Sequence, residues 1–247
     1  MKRFTKVLAA IMLMTAAFIA AGCTKTDDPN NGGNNDGGNG GNGGGNQNNH
    51  EYVDLGLPSG TLWATCNVGA DTPEGYGDYF AWGETTPKTV YTWESYIYAE
   101  GTSDDDPGLT KYCSYSDDGY NGFIDNLTTL LPEDDAATAN WGADWRTPTD
   151  EQWGELRGNT TYTWITLNGV NGRLFIAANG NSLFLPAAGN RRGSELYNDG
   201  RIGDYWSSNT FTTSALGIQF SSNFTDDEGN PRFMGQSVRA VRAVREN

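Results

Sequence analysis

The side chains best placed to do chemistry are few, and one of them acts before the protein folds. Cys23 follows Ala20-Ala21-Gly22, and ahead of those small residues lies the apolar run Val7–Ala21, broken only by Thr15 and headed by Lys2, Arg3 and Lys6. Such a leader is a secretory signal, too short to be read as a membrane-spanning helix. A cysteine directly after the small residues reads as a lipoprotein cleavage site, whose thiol is diacylated and becomes the new N-terminus. Each buried CH₂ of a lipid adds about 0.8 kcal/mol, and more than one chain gives stable attachment. Residues 1–22 are therefore a signal peptide, and Cys23 is the expected lipidation site. Catalytic groups are sparse by contrast. The chain has one histidine, His50, so no Ser-His-Asp, Cys-His or histidine-based zinc arrangement can be assembled in the folded part. Carboxylate pairs such as Glu84 with Asp78 could serve a glycosidase as acid and base, but no spacing singles a pair out. A non-enzymatic protein is the expectation.

Charge narrows the partners. Sixteen basic residues, of which Lys2, Arg3 and Lys6 leave with the leader, face 31 acidic ones, so the mature chain carries about −18 and binds neither nucleic acid nor anionic surfaces through bulk charge. The acidity comes in short clusters, Asp104-Asp105-Asp106, Asp117-Asp118 and Asp226-Asp227-Glu228. These read as solvated loops, and a structural calcium site is the alternative, although no twelve-residue Asp-x-Asp-x-Asp-Gly loop is present. No metal or other cofactor is expected. Cys66 and Cys113 remain once Cys23 is lipidated. In an exported chain two cysteines can pair, so a Cys66–Cys113 disulfide is expected, with two buried thiols as the alternative.

Between anchor and domain lies a tether, residues 23–50. From Asn30 to Asn49 every residue is Gly or Asn except Asp36 and Gln47, which leaves nothing to bury against the entropy of ordering. Its root-mean-square span is roughly 26–31 Å as a flexible coil, and roughly 90 Å fully stretched. The Lys25 then Asp27-Asp28 pattern after Cys23 resembles the export signal of Bacteroides-type lipoproteins bound for the outer face of the outer membrane.

Residues 51–247 are one domain's worth of chain. Period-2 alternation predicts strands over Thr61–Cys66, Thr161–Leu167, Arg173–Ala178, Ser182–Leu185, around Leu216, Ile218 and Phe220, and over Ser237–Val244, with Asn179-Gly180-Asn181 as a hairpin loop. Two short helices are expected. One covers Glu133–Asn140. The other follows Thr149, which caps it with Gln152 three residues on as a capping box; Trp153 and Leu156 face the core. The fold class is α+β: two short helices packed on twisted, mostly antiparallel strands with long loops.

Tyr52-Val53-Asp54-Leu55-Gly56-Leu57-Pro58-Ser59-Gly60-Thr61-Leu62-Trp63-Ala64, Tyr79-Phe80-Ala81-Trp82-Gly83-Glu84, Trp145-Arg146-Thr147-Pro148-Thr149, Leu185-Pro186-Ala187-Ala188-Gly189, Tyr205-Trp206-Ser207-Ser208 and Ser237-Val238-Arg239-Ala240-Val241-Arg242 occur in an order that resembles the Fibrobacter succinogenes major paralogous domain. The resemblance implies a C-type-lectin-like fold with paired terminal strands, distantly similar to formylglycine-generating enzymes. Those use reactive cysteines late in the chain, and none follows Cys113 here, so that activity is not carried over. Calcium-dependent lectins of this fold use Glu-Pro-Asn or Gln-Pro-Asp with Trp-Asn-Asp. Glu228-Gly229-Asn230-Pro231 only superficially matches the first pattern and the second is absent. Trp63, Trp82, Trp145, Trp153 and Trp206 fall in the shared blocks and are expected in the core rather than as sugar platforms.

Gly189–Arg242 also resembles the variable region of proteins diversified by retroelements, in which surface positions change on a lectin-like scaffold. The corresponding candidate ligand-binding residues are Arg192, Glu195, Tyr197, Asn198, Asp204, Asn209, Phe211, Thr212, Thr213, Asn223 and Arg232, of types that binding surfaces favour. The expectation is a monomeric, lipid-anchored domain at the outer membrane that binds an extracellular protein or glycan. A structural subunit of a surface assembly, such as a fimbrial tip or polysaccharide-capture complex, is the alternative.

Overall fold

The computed structural model describes residues 50–243; the signal peptide, Cys23 and nearly all of the tether lie outside them, as does Val244. The fold is α+β, with two short α-helices and four small antiparallel sheets among the described residues. β1 (Tyr52–Asp54), β2 (Leu62–Ala64) and β11 (Val241–Arg242) form the first sheet, in the order β1-β2-β11. The two ends of the domain therefore meet, but not by direct pairing of the first and last strands: β2 lies between them, with Trp63 opposite both Val53 and Val241. β2 is paired on both edges and covered on both faces, Trp63 packing in one core with Trp153 and Ala64 in another with Trp206, so Leu62, Trp63 and Ala64 are all enclosed. The terminal strand is shorter than its sequence pattern. Residues 237–240 run extended but bond singly to several partners, including Val68 N–H to the Val238 carbonyl and Ala64 N–H to the Ala240 carbonyl, each at 2.9 Å.

α1 (Ala136–Trp141) starts three residues later than its composition suggests. Pro132–Asp134 forms a separate 3₁₀ turn. The true cap is Asp135, whose carboxylate accepts from the N–H groups of Ala137 (2.8 Å) and Thr138 (3.3 Å) and so satisfies the free donors of the first turn. α2 (Asp150–Asn159) has the expected capping box: Gln152 N–H donates to Thr149 Oγ1 at 3.2 Å, and Thr149 N–H donates to Gln152 Oε1 at 3.0 Å. Trp153 and Leu156 point from α2 into a core with Trp63, Phe175, Tyr205 and Phe220.

β3 (Thr160–Leu167), β4 (Val170–Ala177) and β5 (Ser182–Pro186) form a meander. β6 (Asn190–Arg192) and β7 (Glu195–Tyr197) form a small hairpin. β8 (Gly203–Phe211), β9 (Ser214–Phe220) and β10 (Thr225–Pro231) form the third three-stranded sheet. One of its faces, with Tyr205, Ile218 and Phe220, packs in the core with α2; the other contributes Trp206 and Ala215 to a second core with Trp82, Tyr112 and Trp145. All five framework tryptophans are buried. Three of them stitch segments together as well as filling space: Trp82 Nε1 donates to the Ser207 carbonyl, Trp206 Nε1 to that of Phe80 and Trp153 Nε1 to that of Trp206.

Residues 65–131 hold no helix longer than a 3₁₀ turn and no extended strand. Their order comes from aromatics. Tyr79, Tyr91, Trp93, Tyr96 and Leu109 make a third core, and Cys113 lies in it as a free, buried thiol. The expected Cys66–Cys113 disulfide is thus not formed. The Cys113 thiol donates to the Tyr115 carbonyl at 3.1 Å, and burial pushes its pKa up, so it behaves as an inert core residue.

Candidate functional site

The eleven candidate ligand residues do not form one face. Two of them are scaffold. Arg232 has no exposed surface. Its guanidinium donates to the carbonyls of Tyr112 (3.0 Å), Lys111 (3.4 Å) and Thr212 (2.6 Å) and stacks 5.3 Å from the centre of the Trp82 ring. Asp204 is 1% exposed and accepts from Asn190 Nδ2 and Gln219 Nε2, both at 2.8 Å. Burial pushes its carboxyl above the ordinary range, and those two hydrogen bonds partly pull it back. The resemblance to a diversified variable region places both among surface positions, where charged types ordinarily sit. Only the surrounding carbonyls and amides, drawn from distant segments, make their burial tolerable.

The remaining nine fall into three places. Arg192, Glu195, Tyr197 and Asn198 ride on the β6–β7 hairpin. That hairpin is tied down by Gly193 pairing with Tyr91 and Arg191 pairing with Gly235. At its base Gly189 has φ +66°, and an added Cβ would run into the Tyr197 carbonyl; a glycine is required there. Arg192 lies near the carboxyls of Asp204 and Glu228 and offsets the rise of both. Asn209, Phe211, Thr212 and Thr213 form the β8–β9 hairpin end. Asn223 sits in the β9–β10 loop, at the opposite end of β9, about 20 Å away for a strand of this length.

The β8–β9 tip is where the structure adds residues. Thr210 N–H donates to the Thr128 carbonyl at 3.0 Å, and Thr129 bridges Asn209. Arg232 joins Thr212 to Lys111 and Tyr112 from beneath. These contacts tie residues 111–112 and 128–129, the two flanks of the loop 113–126, to the hairpin end. That loop exposes Tyr115 (58%), Tyr120 (50%) and Ile124 (45%), together with Phe123, and Phe211, on the hairpin end, is at 68% the most exposed large apolar side chain among the described residues. Tyr115, Tyr120, Phe123 and Ile124 were missed from sequence. Their signal was the alternation of aromatics with turn formers in Tyr115-Ser116-Asp117-Asp118-Gly119-Tyr120-Asn121-Gly122-Phe123.

The tip is also strained. Thr212 has φ +51°, which a β-branched residue adopts at a cost. Its carbonyl is held there by Arg232. Thr212→Gly should therefore raise stability by about 1 kcal/mol, seen as a melting temperature about 2–4 °C higher; a lower melting temperature would mean the Thr212 side chain makes a compensating contact.

The acidic clusters do not converge. Among the described residues no group of three or more His, Cys, Asp or Glu side chains is arranged to hold a metal ion; Asp104 instead accepts from Trp93 Nε1 at 2.7 Å. Glu84 is buried and occupied: Lys88 Nζ donates to it at 2.8 Å and Ile97 N–H at 3.1 Å. Asp134 is likewise enclosed. Burial alone would raise its carboxyl, but hydrogen bonds from Lys111, Tyr112 and Tyr98 outweigh that and hold it below its ordinary value. Such a carboxylate stays ionised in a fixed network and is poorly suited to donate a proton.

No protein-family model, curated protein or solved structure matches this chain.

Proposed function

We propose that this chain is a lipid-anchored, cell-surface binding module of C-type-lectin-like architecture, without catalytic activity, which captures an extracellular protein or glycan. The reading rests on one observation above the others: Phe211, the most exposed large apolar side chain among the described residues, sits on a hairpin end tied to both flanks of a loop that itself exposes Tyr115, Tyr120, Phe123 and Ile124. Contiguous exposed apolar surface is unusual on a soluble domain and marks contact sites. Tyrosine and phenylalanine give large contact area at low entropic cost. The leader, Cys23 and the Gly/Asn tether support presentation away from a membrane, and the likeness of the shared blocks to the Fibrobacter succinogenes major paralogous domain supports the lectin-like reading. The candidate positions that are exposed are compatible with diversification of the tip and of the β6–β7 hairpin, since change there leaves the cores intact.

The test is a comparison of variants. Phe211→Ala with Tyr120→Ala should weaken capture of ligand from an array of extracellular glycans and proteins by at least tenfold, in the range of interface hot spots, with melting unchanged. Grafting new residues at Arg192, Glu195, Tyr197, Asn198, Phe211, Thr212 and Thr213, while keeping Asp204 and Arg232, should change the ligand and preserve the fold. Binding untouched by both experiments would exclude this surface.

A further inference from the structure

Adjoining Asn209 but not lined by Phe211, a cleft of about 280 Å³ opens between residues 129–132, residues 143–149 ahead of α2, and Ser208. That volume is near the lower end of small-molecule sites and suits one sugar ring rather than an oligosaccharide. Its free polar groups share one character. The Arg146 side chain is exposed and forms no ion pair or hydrogen bond among the described residues. Ser208 is only 4% exposed, lines the cleft, and its hydroxyl has no partner among the described residues, nor is that atom sealed from the surface. Thr149 Oγ1 accepts from Gln152 N–H, and Thr129 Oγ1 accepts from Asn209 Nδ2, so both keep a hydroxyl proton to donate.

The acceptors of the cleft, in contrast, are engaged. Asp135 accepts from the N–H groups of Ala137, Thr138 and Thr147 and from Thr147 Oγ1. Asp144 faces Arg242 at 3.9 Å. A cleft that offers donors while its carboxylates are satisfied favours an oxygen-rich, anionic ligand. Leu130, Pro132 and Ala143 supply apolar lining for the C–H face of a ring.

We propose that this cleft binds a carboxylated monosaccharide of the hexuronate class, free or at the end of a glycan, with its carboxylate on Arg146 and its hydroxyls on Ser208, Thr149 and Thr129. The site does not involve calcium and does not depend on the aromatic tip.

The experiment titrates the soluble mature chain with D-glucuronate, D-galacturonate and D-glucose, read by calorimetry or ligand-observed NMR. At least one uronate should bind, at least tenfold more tightly than glucose. Arg146→Gln, at an exposed position, should bring that uronate down to the level of glucose with the melting temperature unchanged. Ser208→Ala should weaken the uronate and glucose alike, and Phe211→Ala should leave both as they were. Absence of uronate binding, equal affinity for uronate and glucose, or uronate binding that survives Arg146→Gln would each overturn the proposal. Loss of uronate binding in Phe211→Ala would place the site at the tip and overturn it as well. A wild-type cleft that binds uronate beside a tip that captures nothing would leave the proposal standing and refute the reading of the tip.

Discussion

Arg232→Ala should destabilise the domain by about 3–5 kcal/mol, the range seen when a buried, hydrogen-bonded charge loses its arrangement. The guanidinium links three carbonyls from two distant segments and lies against Trp82. Its removal leaves the Tyr112, Lys111 and Thr212 carbonyls short of a donor in an enclosed site, where each orphaned group is costly. It also opens a void beneath a tryptophan. Arg232→Lys should recover little, because one ammonium cannot reproduce a planar fork that reaches separated acceptors. The measurement is denaturant unfolding followed by tryptophan fluorescence. Were Arg232 a surface ligand residue, the change would stay within about 0.5 kcal/mol. The variant should also free the β8–β9 tip from the loop 113–126, so binding at the tip should fall even under conditions where the remaining fold survives.

A second large effect is alkaline unfolding. Burial pushes the phenols of Tyr79, Tyr96, Tyr98 and Tyr112 well above their ordinary value, and that of Tyr205 up to about 12. Below pH 10 folded and unfolded chains both keep these protons, and the full stability is present. Above pH 10 the unfolded chain sheds them while the folded chain holds them, so the unfolded state binds fewer protons and stability falls as pH rises. Each tyrosine so enclosed contributes a slope of about 1.4 kcal/mol per pH unit. Arg239 works the other way. Burial lowers it to about 10, so its contribution grows between pH 10 and its unfolded value. Tyr76 and Tyr91 are raised as well, and Arg173 and Arg232 lowered; the raised tyrosines outnumber the lowered arginines, so stability falls steeply as pH rises above 10. A domain of ordinary stability, about 5–15 kcal/mol, is consumed within a few units. Tyrosinate absorbance should thus rise together with loss of far-UV circular dichroism in one cooperative step above pH 10. Smooth tyrosinate formation from pH 10 with the dichroism intact would show that the phenols are open to solvent. Tyr205→Phe should make the loss shallower, although it gives up the hydrogen bond to the Pro186 carbonyl at 2.8 Å.

The local devices of this chain are written in neighbouring residues. Thr149 and Gln152 specify the start of α2 because the reciprocal cap needs only a three-residue spacing. The β4–β5 hairpin follows from Asn179-Gly180-Asn181, since Gly180 takes φ +88° without steric cost. The α+β class and the burial of the five framework tryptophans also follow from patterning and type. What composition could not supply is which distant groups meet. Asp204 and Arg232 have the side chains of surface residues; they are interior only because Asn190, Gln219 and the Lys111, Tyr112 and Thr212 carbonyls arrive from elsewhere to satisfy them. The same holds for the tying of the β8–β9 hairpin end to the flanks of the loop 113–126, for the insertion of β2 between β1 and β11, and for the separation of Cys113 from Cys66. Periodicity, caps and turns are decided within a few residues by sterics and short hydrogen bonds. The burial of a charge, the company of an exposed ring and the partner of a thiol depend on contacts across the chain, which the packed fold alone settles.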